Sequence, residues 1–179
     1  SDLASLDMVI NASKSSCIRI GSRYNVKCAN LTTNSGHELQ WANEIHYLGV
    51  YVTCSRHFHC SICHCKKLFY RAINAIFGKV GRKSSEEVFL QLIYSKCIPV
   101  LIYGLECFDL NNTTKRALDF PVVRLLMRFF RTSNIDAVNE CRTYFEFELP
   151  TEILKKRSVK IMSKYSCSLN SWCRYLSQF

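Results

Sequence analysis

The sequence predicts an α+β chain in which a small antiparallel sheet precedes a mainly helical region. Three observations predict it. Up to about residue 56, apolar and polar residues alternate between breaks rich in Gly, Asn and Ser. From residue 57 onward, apolar residues recur at helical spacing. The chain has 179 residues and is 48% hydrophobic and 21% charged, with a mean hydropathy of −0.03. That is enough for a buried core, and too apolar for a wholly disordered chain.

In order, Leu3 to Ile10 has the pattern of a helix end, and Asn11-Ala12-Ser13 turns the chain into a strand at Cys17 to Ile20, closed by Gly21. Tyr24 to Leu31 is a second predicted strand, and Asn34-Ser35-Gly36 a hairpin-like break. Leu39 to Trp41 and Ile45 to Thr53 follow as strands. Helical character begins near Phe58. Phe69, Ala72, Ile73, Ile76 and Val80 share one face, and Lys67, Tyr70, Arg71 and Asn74 the opposite one. Gly78 and Gly81 loosen or end this helix. In the next, Ser84 and Glu87 have capping-box spacing, and Pro99 is expected to break or kink it. A third runs from about Thr113 to Arg131, buries Leu118, Val122, Leu125, Leu126 and Phe129, and bends at Pro121. Two shorter helices are expected, over Ala137 to Tyr144 and from Thr151 onward.

Lys and Arg number 24 against 14 acids, a formal charge of +10, and the pI is about 9.1. Such an excess favours a polyanionic partner, nucleic acid before an anionic membrane surface. The longest apolar run, Val88 to Leu105, contains Gln91, Lys96, Pro99 and Gly104, which favours a buried helix over a membrane span. The chain opens Ser1-Asp2-Leu3, without the basic start and apolar run of a secretory leader, and reads as a piece of a longer protein. Eleven cysteines are an odd number, and several lie in apolar stretches, as at Cys97 and Cys107. Buried thiols in a reducing, intracellular setting are the simpler reading, with nucleus and cytoplasm equally open.

Metal-dependent phosphoryl transfer requires converging carboxylates. The sequence has no Asp-Asp or Asp-x-Asp pair, and its adjacent acids, Glu86-Glu87, suit the first turn of a helix. Cys54, His57, His59, Cys60, Cys63, His64 and Cys65 crowd together. Cys60, Cys63 and His64 are the candidate zinc ligands, but a matching second pair is missing, and on one helix Cys63 would point away from Cys60 and His64. The basic stretch is more informative. Lys66, Lys67, Arg71, Lys79, Arg82 and Lys83 occur with no acid among them. Tyr70 and Asn74 add stacking and hydrogen-bonding groups, and the glycines around Lys79 open the backbone to a phosphate chain. Arg124, Arg128 and Arg131 form a second candidate stripe.

The order of these motifs resembles the reverse transcriptases of non-LTR retrotransposons. Ile10-Asn11-Ala12-Ser13-Lys14-Ser15-Ser16 before a strand is similar to their fourth palm motif, and Trp41 followed by Ile45-His46-Tyr47-Leu48-Gly49-Val50 resembles the primer grip. Phe69-Tyr70-Arg71-Ala72, the expected turn over Gly78 to Arg82, and Leu101-Ile102-Tyr103-Gly104-Leu105-Glu106 resemble the helical thumb, with Leu149-Pro150-Thr151 just beyond. The resemblance spans nearly the whole chain. It implies a palm-edge remnant over 1–56, a thumb over 57–132 and a helical extension over 133–179. It also implies an RNA-directed DNA polymerase whose metal-binding aspartates, and hence its fingers and palm, lie upstream. Mg²⁺ would then serve only the complete polymerase, and this chain would bind no cofactor and be inactive alone. Lys14 would lie near the incoming nucleotide, Tyr47, Leu48 and Gly49 would grip the primer, and Lys67, Tyr70, Arg71, Lys79, Arg82 and Lys83 would hold an RNA–DNA or similar duplex by its backbone. Two other readings remain open: a self-standing basic helical nucleic-acid-binding module, and a zinc-stabilised interaction module.

Overall fold

The computed structural model describes residues 10–80, 84–167 and 170. The expectations for Leu3 to Val9, for Gly81, Arg82 and Lys83, and for the end of the last helix lie outside the described residues. The fold is α+β, and the chain divides into two units between Ser61 and Ile62.

The first unit holds two three-stranded sheets. In one, β1 (Ser16–Cys17) and β2 (Leu31–Thr32) flank β3 (Glu38–Trp41). β2 and β3 form the expected hairpin. Gly36, at φ 80°, lets the chain reverse, and Thr33 and His37 close the turn through the Thr33 N–H donating to the His37 carbonyl at 2.8 Å. β1 pairs with β3 in parallel, unlike the antiparallel pairings of the other named strands. The twenty residues between them give room for the crossover that parallel pairing needs. The strand predicted over Tyr24 to Leu31 is instead mostly turn and loop. The Arg19 guanidinium donates to the carbonyls of Arg23 (3.1 Å) and Val26 (2.8 Å) and caps the bend. In the other sheet, β4 (Glu44–Tyr47), β5 (Val50–Thr53) and β6 (His59–Cys60) pair antiparallel in that order. The strand predicted over Ile45 to Thr53 is broken at Leu48–Gly49.

The second unit is helical. α1 spans Ile62–Val80, starting later than Phe58 because β6 intervenes. It buries Cys65, Phe69 and Ile73 and continues unbroken through Gly78. α2 (Glu86–Leu92) is capped by Ser85, not Ser84. The helix starts one residue later than predicted, and the Ser85 Oγ accepts from the Val88 N–H at 3.5 Å. Glu86 and Glu87 then stand in its first turn, where the helix dipole favours them. Pro99 does not end the helical run. A wider π turn over Ile93–Cys97 precedes α3 (Ile98–Ile102), placing Pro99 in the first turn of α3, where its missing N–H costs no bond. A 3₁₀ turn over Leu105–Cys107 follows, leaving Cys107 exposed rather than buried as its apolar neighbourhood suggests.

α4 (Asn112–Phe129) is capped by Asn111, whose Oδ1 accepts from the Thr114 N–H at 2.7 Å, and runs unbroken across the buried Pro121. Arg131 falls outside it in a left-handed conformation (φ 54°). α5 is Ile135–Tyr144 and α6 is Pro150–Ser166. The core is built from Phe69, Phe89, Ile93, Ile98, Leu101, Ile102, Leu118, Val122, Leu126 and Val138. Phe89 stacks on Phe129 with ring centroids 4.3 Å apart. Each such aliphatic or aromatic side chain contributes about 1.5–3 kcal/mol by leaving water. Among the described residues, no helix is long and apolar enough to cross a membrane.

Candidate nucleic-acid interface

Burial of Cys65, Phe69 and Ile73 fixes the rotation of α1 and turns the other side outward. Lys67, Tyr70, Arg71, Asn74, Gly78 and Lys79 are all exposed. Lys67, Arg71, Asn74 and Gly78 follow one another at helical spacing, with Tyr70 on one flank and Lys79 on the other. α1 contains no acid, so these cations have no neutralising neighbour on their own helix. Tyr70 is 46% exposed and meets Phe69 edge-on at 5.9 Å, which leaves ring surface open to stacking. A Cβ at Gly78 would meet nothing within 4 Å, so packing does not require a glycine there, and the backbone is open to close approach.

α4 carries a second basic stripe, differently composed from the one expected. Arg116, Phe120, Arg124 and Arg128 are exposed at four-residue intervals, whereas Arg131 has left the helix. The Arg124 guanidinium lies 5.6 Å from the centroid of Phe120, a ring that is 57% exposed. The spacing of Arg116 and Phe120 with Arg124 was readable in the sequence. Treating the tract as an arginine-only repeat hid it.

In the first unit, Leu48 and Gly49 form a two-residue turn with φ of 47° and 84°, the left-handed pair that closes tight hairpins. The tip projects apolar surface, with Tyr47 65% and Leu48 76% exposed. Behind it, Val50 and Val52 are buried, and His46 stacks on Tyr51 at 4.5 Å. Lys14 is exposed at the end of a turn closed by Asn11, whose Oδ1 accepts from the Ser13 hydroxyl (2.7 Å) and the Lys14 N–H (3.3 Å). A basic recess that the sequence reading missed is lined by Arg19, Arg23 and Lys27, with a volume of about 560 Å³ and no acid in its wall. Its alternation resembled a strand, which concealed the loop that gathers the three cations. A further recess, of about 330 Å³, is lined by Glu87, Tyr94, Glu146 and Phe147 among others and carries no cation, so it is unsuited to phosphate.

Cys60 lies buried in β6, while Cys63 and His64 occupy the first turn of α1. Cys60 and His64 therefore do not share a helix face, contrary to expectation, because Cys60 is in a strand. Among the described residues, no three His, Cys, Asp or Glu side chains gather as a metal site. Burial pushes the Cys97 thiol up to about 11 and raises Cys65 as well, so both are poor nucleophiles at neutral pH. Arg82 and Lys83, also expected at the interface, lie outside the described residues. No family model matches the chain, and comparison with curated proteins and with solved structures gives no match.

Proposed function

We propose that this chain grips the sugar-phosphate backbone of a nucleic-acid duplex, as the template–primer-holding C-terminal part of a non-LTR retrotransposon reverse transcriptase. The acid-free outer face of α1, with Lys67, Arg71 and Lys79 beside an open Tyr70, carries the reading. Cations at that spacing position a backbone without reading its sequence, and the tyrosine can stack on a base or pack against a sugar. The motif order and the exposed Tyr47-Leu48 hairpin tip support assignment to a polymerase over a self-standing module. In this reading the metal-binding aspartates belong to upstream sequence, and Mg²⁺ acts only in the whole polymerase.

Titration of the chain with an RNA–DNA hybrid at several salt concentrations tests the proposal. Each phosphate contact contributes about 0.9 to the logarithmic salt slope, so replacing Lys67, Arg71 and Lys79 with Ala is expected to flatten it by up to about 2.7. An unchanged slope removes α1 from the interface. Tighter binding of the hybrid than of either single strand is expected for a duplex grip, and equal binding would favour the self-standing module. With Mg²⁺, primer and template, no nucleotide incorporation is expected. Extension that persists in a preparation free of contaminating polymerase would refute the assignment of catalysis to upstream residues.

A further inference from the structure

α6 stops contributing to the core after Leu154. Ile153 and Leu154 are buried, whereas none of residues 155–166 is. This segment carries Lys155, Lys156, Arg157, Lys160 and Lys164 and no carboxylate. Among the described residues, Lys156 alone of these has an ion-pair partner, Glu148. A helical segment this short is marginal in water without packing. Like charges four residues apart, as in Lys156, Lys160 and Lys164, weaken it further. The helix dipole favours cations only in the last turn, which here means Lys164. The segment is therefore an under-stabilised helix bearing a comb of lysines.

We propose that residues 155–166 of α6 are a second docking surface for the backbone of a nucleic-acid duplex, and that the bound duplex holds this segment helical. The choice of partner rests on the duplex-binding reading above. Lys156, Lys160 and Lys164 rise about 6 Å per step along the axis. The long flexible stem of each lysine lets its ammonium group reach a phosphate of the same strand. An anionic membrane fits less well. Surface-lying helices bury a continuous apolar face. Here the exposed apolar side chains are Val159 (66%) and Met162 (59%), set among lysines and serines, while Ile161 and Tyr165 continue the face of the buried Leu154 and are half-buried there.

Hydrogen exchange of the full chain, with and without an RNA–DNA hybrid, tests the inference. Amides of residues 155–166 are expected to slow at least tenfold with hybrid and not with phosphatidylserine-containing vesicles. A Lys156→Gln, Lys160→Gln, Lys164→Gln variant, whose glutamines keep helix propensity, is expected to lose that protection and to flatten the salt slope by up to about 2.7. If the α1 variant flattens the slope while the α6 variant leaves it unchanged and residues 155–166 gain no protection, the duplex reading stands and this inference is overturned. If neither variant changes the slope, both fail. Protection by vesicles alone makes the partner a membrane and overturns the inference.

Discussion

Leu48 occupies the first central position of the β4–β5 turn at φ 47°, where asparagine or glycine is the low-strain choice. A left-handed conformation costs an ordinary residue roughly 1–2 kcal/mol. At 76% exposure, the Leu48 side chain recovers little of that by burial. Strain carried by an exposed apolar residue suits a contact surface, which agrees with the primer-grip proposal. Leu48→Asn is expected to stabilise the hairpin by about 1 kcal/mol and to weaken duplex binding. A stabilised variant with unchanged affinity would take the tip out of the interface. Gly78 offers a complementary case. It is helical and its surroundings are open, so Gly78→Ala is expected to stabilise the protein by about 0.5–1 kcal/mol in urea unfolding. A loss of duplex affinity in that variant would show that the bare backbone is used for close approach.

Among the elements, the start of α6 depends on residues distant in sequence. Asp119 on α4 accepts from the Thr151 N–H at 3.1 Å and from its hydroxyl at 2.7 Å. Glu152 accepts from the Leu149 N–H and pairs with Arg142 of α5 at 2.8 Å. Removing the acceptor with Asp119→Ala is expected to cost about 1–2 kcal/mol. Burial raises the Asp119 pKa, more than the two Thr151 hydrogen bonds lower it. With a folded pKa above the unfolded one, its contribution is fully present below the ordinary aspartate range and is lost as pH rises through the raised value. The melting-temperature difference between Asp119→Asn and the native chain should therefore grow in favour of Asn as pH rises from about 3.5 towards 6. A difference constant with pH would contradict this. The Asp119–Thr151 link is not visible as a local motif, because it spans thirty-two residues, whereas the Glu152–Leu149 bond spans only three. Local features were legible. The apolar period of α1 foretold its buried Phe69 and Ile73, and Asn34-Ser35-Gly36 foretold the β2–β3 turn. The π turn before Pro99 was not, since it is one of several ways a helix can absorb a missing N–H. The loop at Arg19 to Cys28 was not either, because its alternation is shared by strands and is overridden by the Arg19 side chain.

Across the whole molecule, apolar burial is distributed very unevenly. Among the described residues, Val50, Val52 and Cys60 are the buried apolar side chains of the first unit, and all the others belong to the second. The first unit's strands are two to four residues long, too short for much cross-strand stabilisation. Two transitions are therefore expected on denaturation, the first unit melting earlier. Trp41, in β3, reports on the first unit: its Nε1 donates to the Ala29 carbonyl at 3.2 Å, and the Arg19 guanidinium sits over its ring. With Trp172 replaced by Phe, so that Trp41 is the sole tryptophan, the fluorescence midpoint in urea is expected below that of ellipticity at 222 nm, which the helices dominate. Coincident curves would refute the division in stability. The same pair of probes locates the interface. Ligand that binds only folded protein stabilises what it touches by about 2.7 kcal/mol at a hundredfold excess over Kd. If the hairpin tip and α1 both hold the duplex, hybrid raises both midpoints. If the helices act alone, the ellipticity midpoint moves and the Trp41 midpoint stays, and the primer-grip assignment falls while the basic helical face survives.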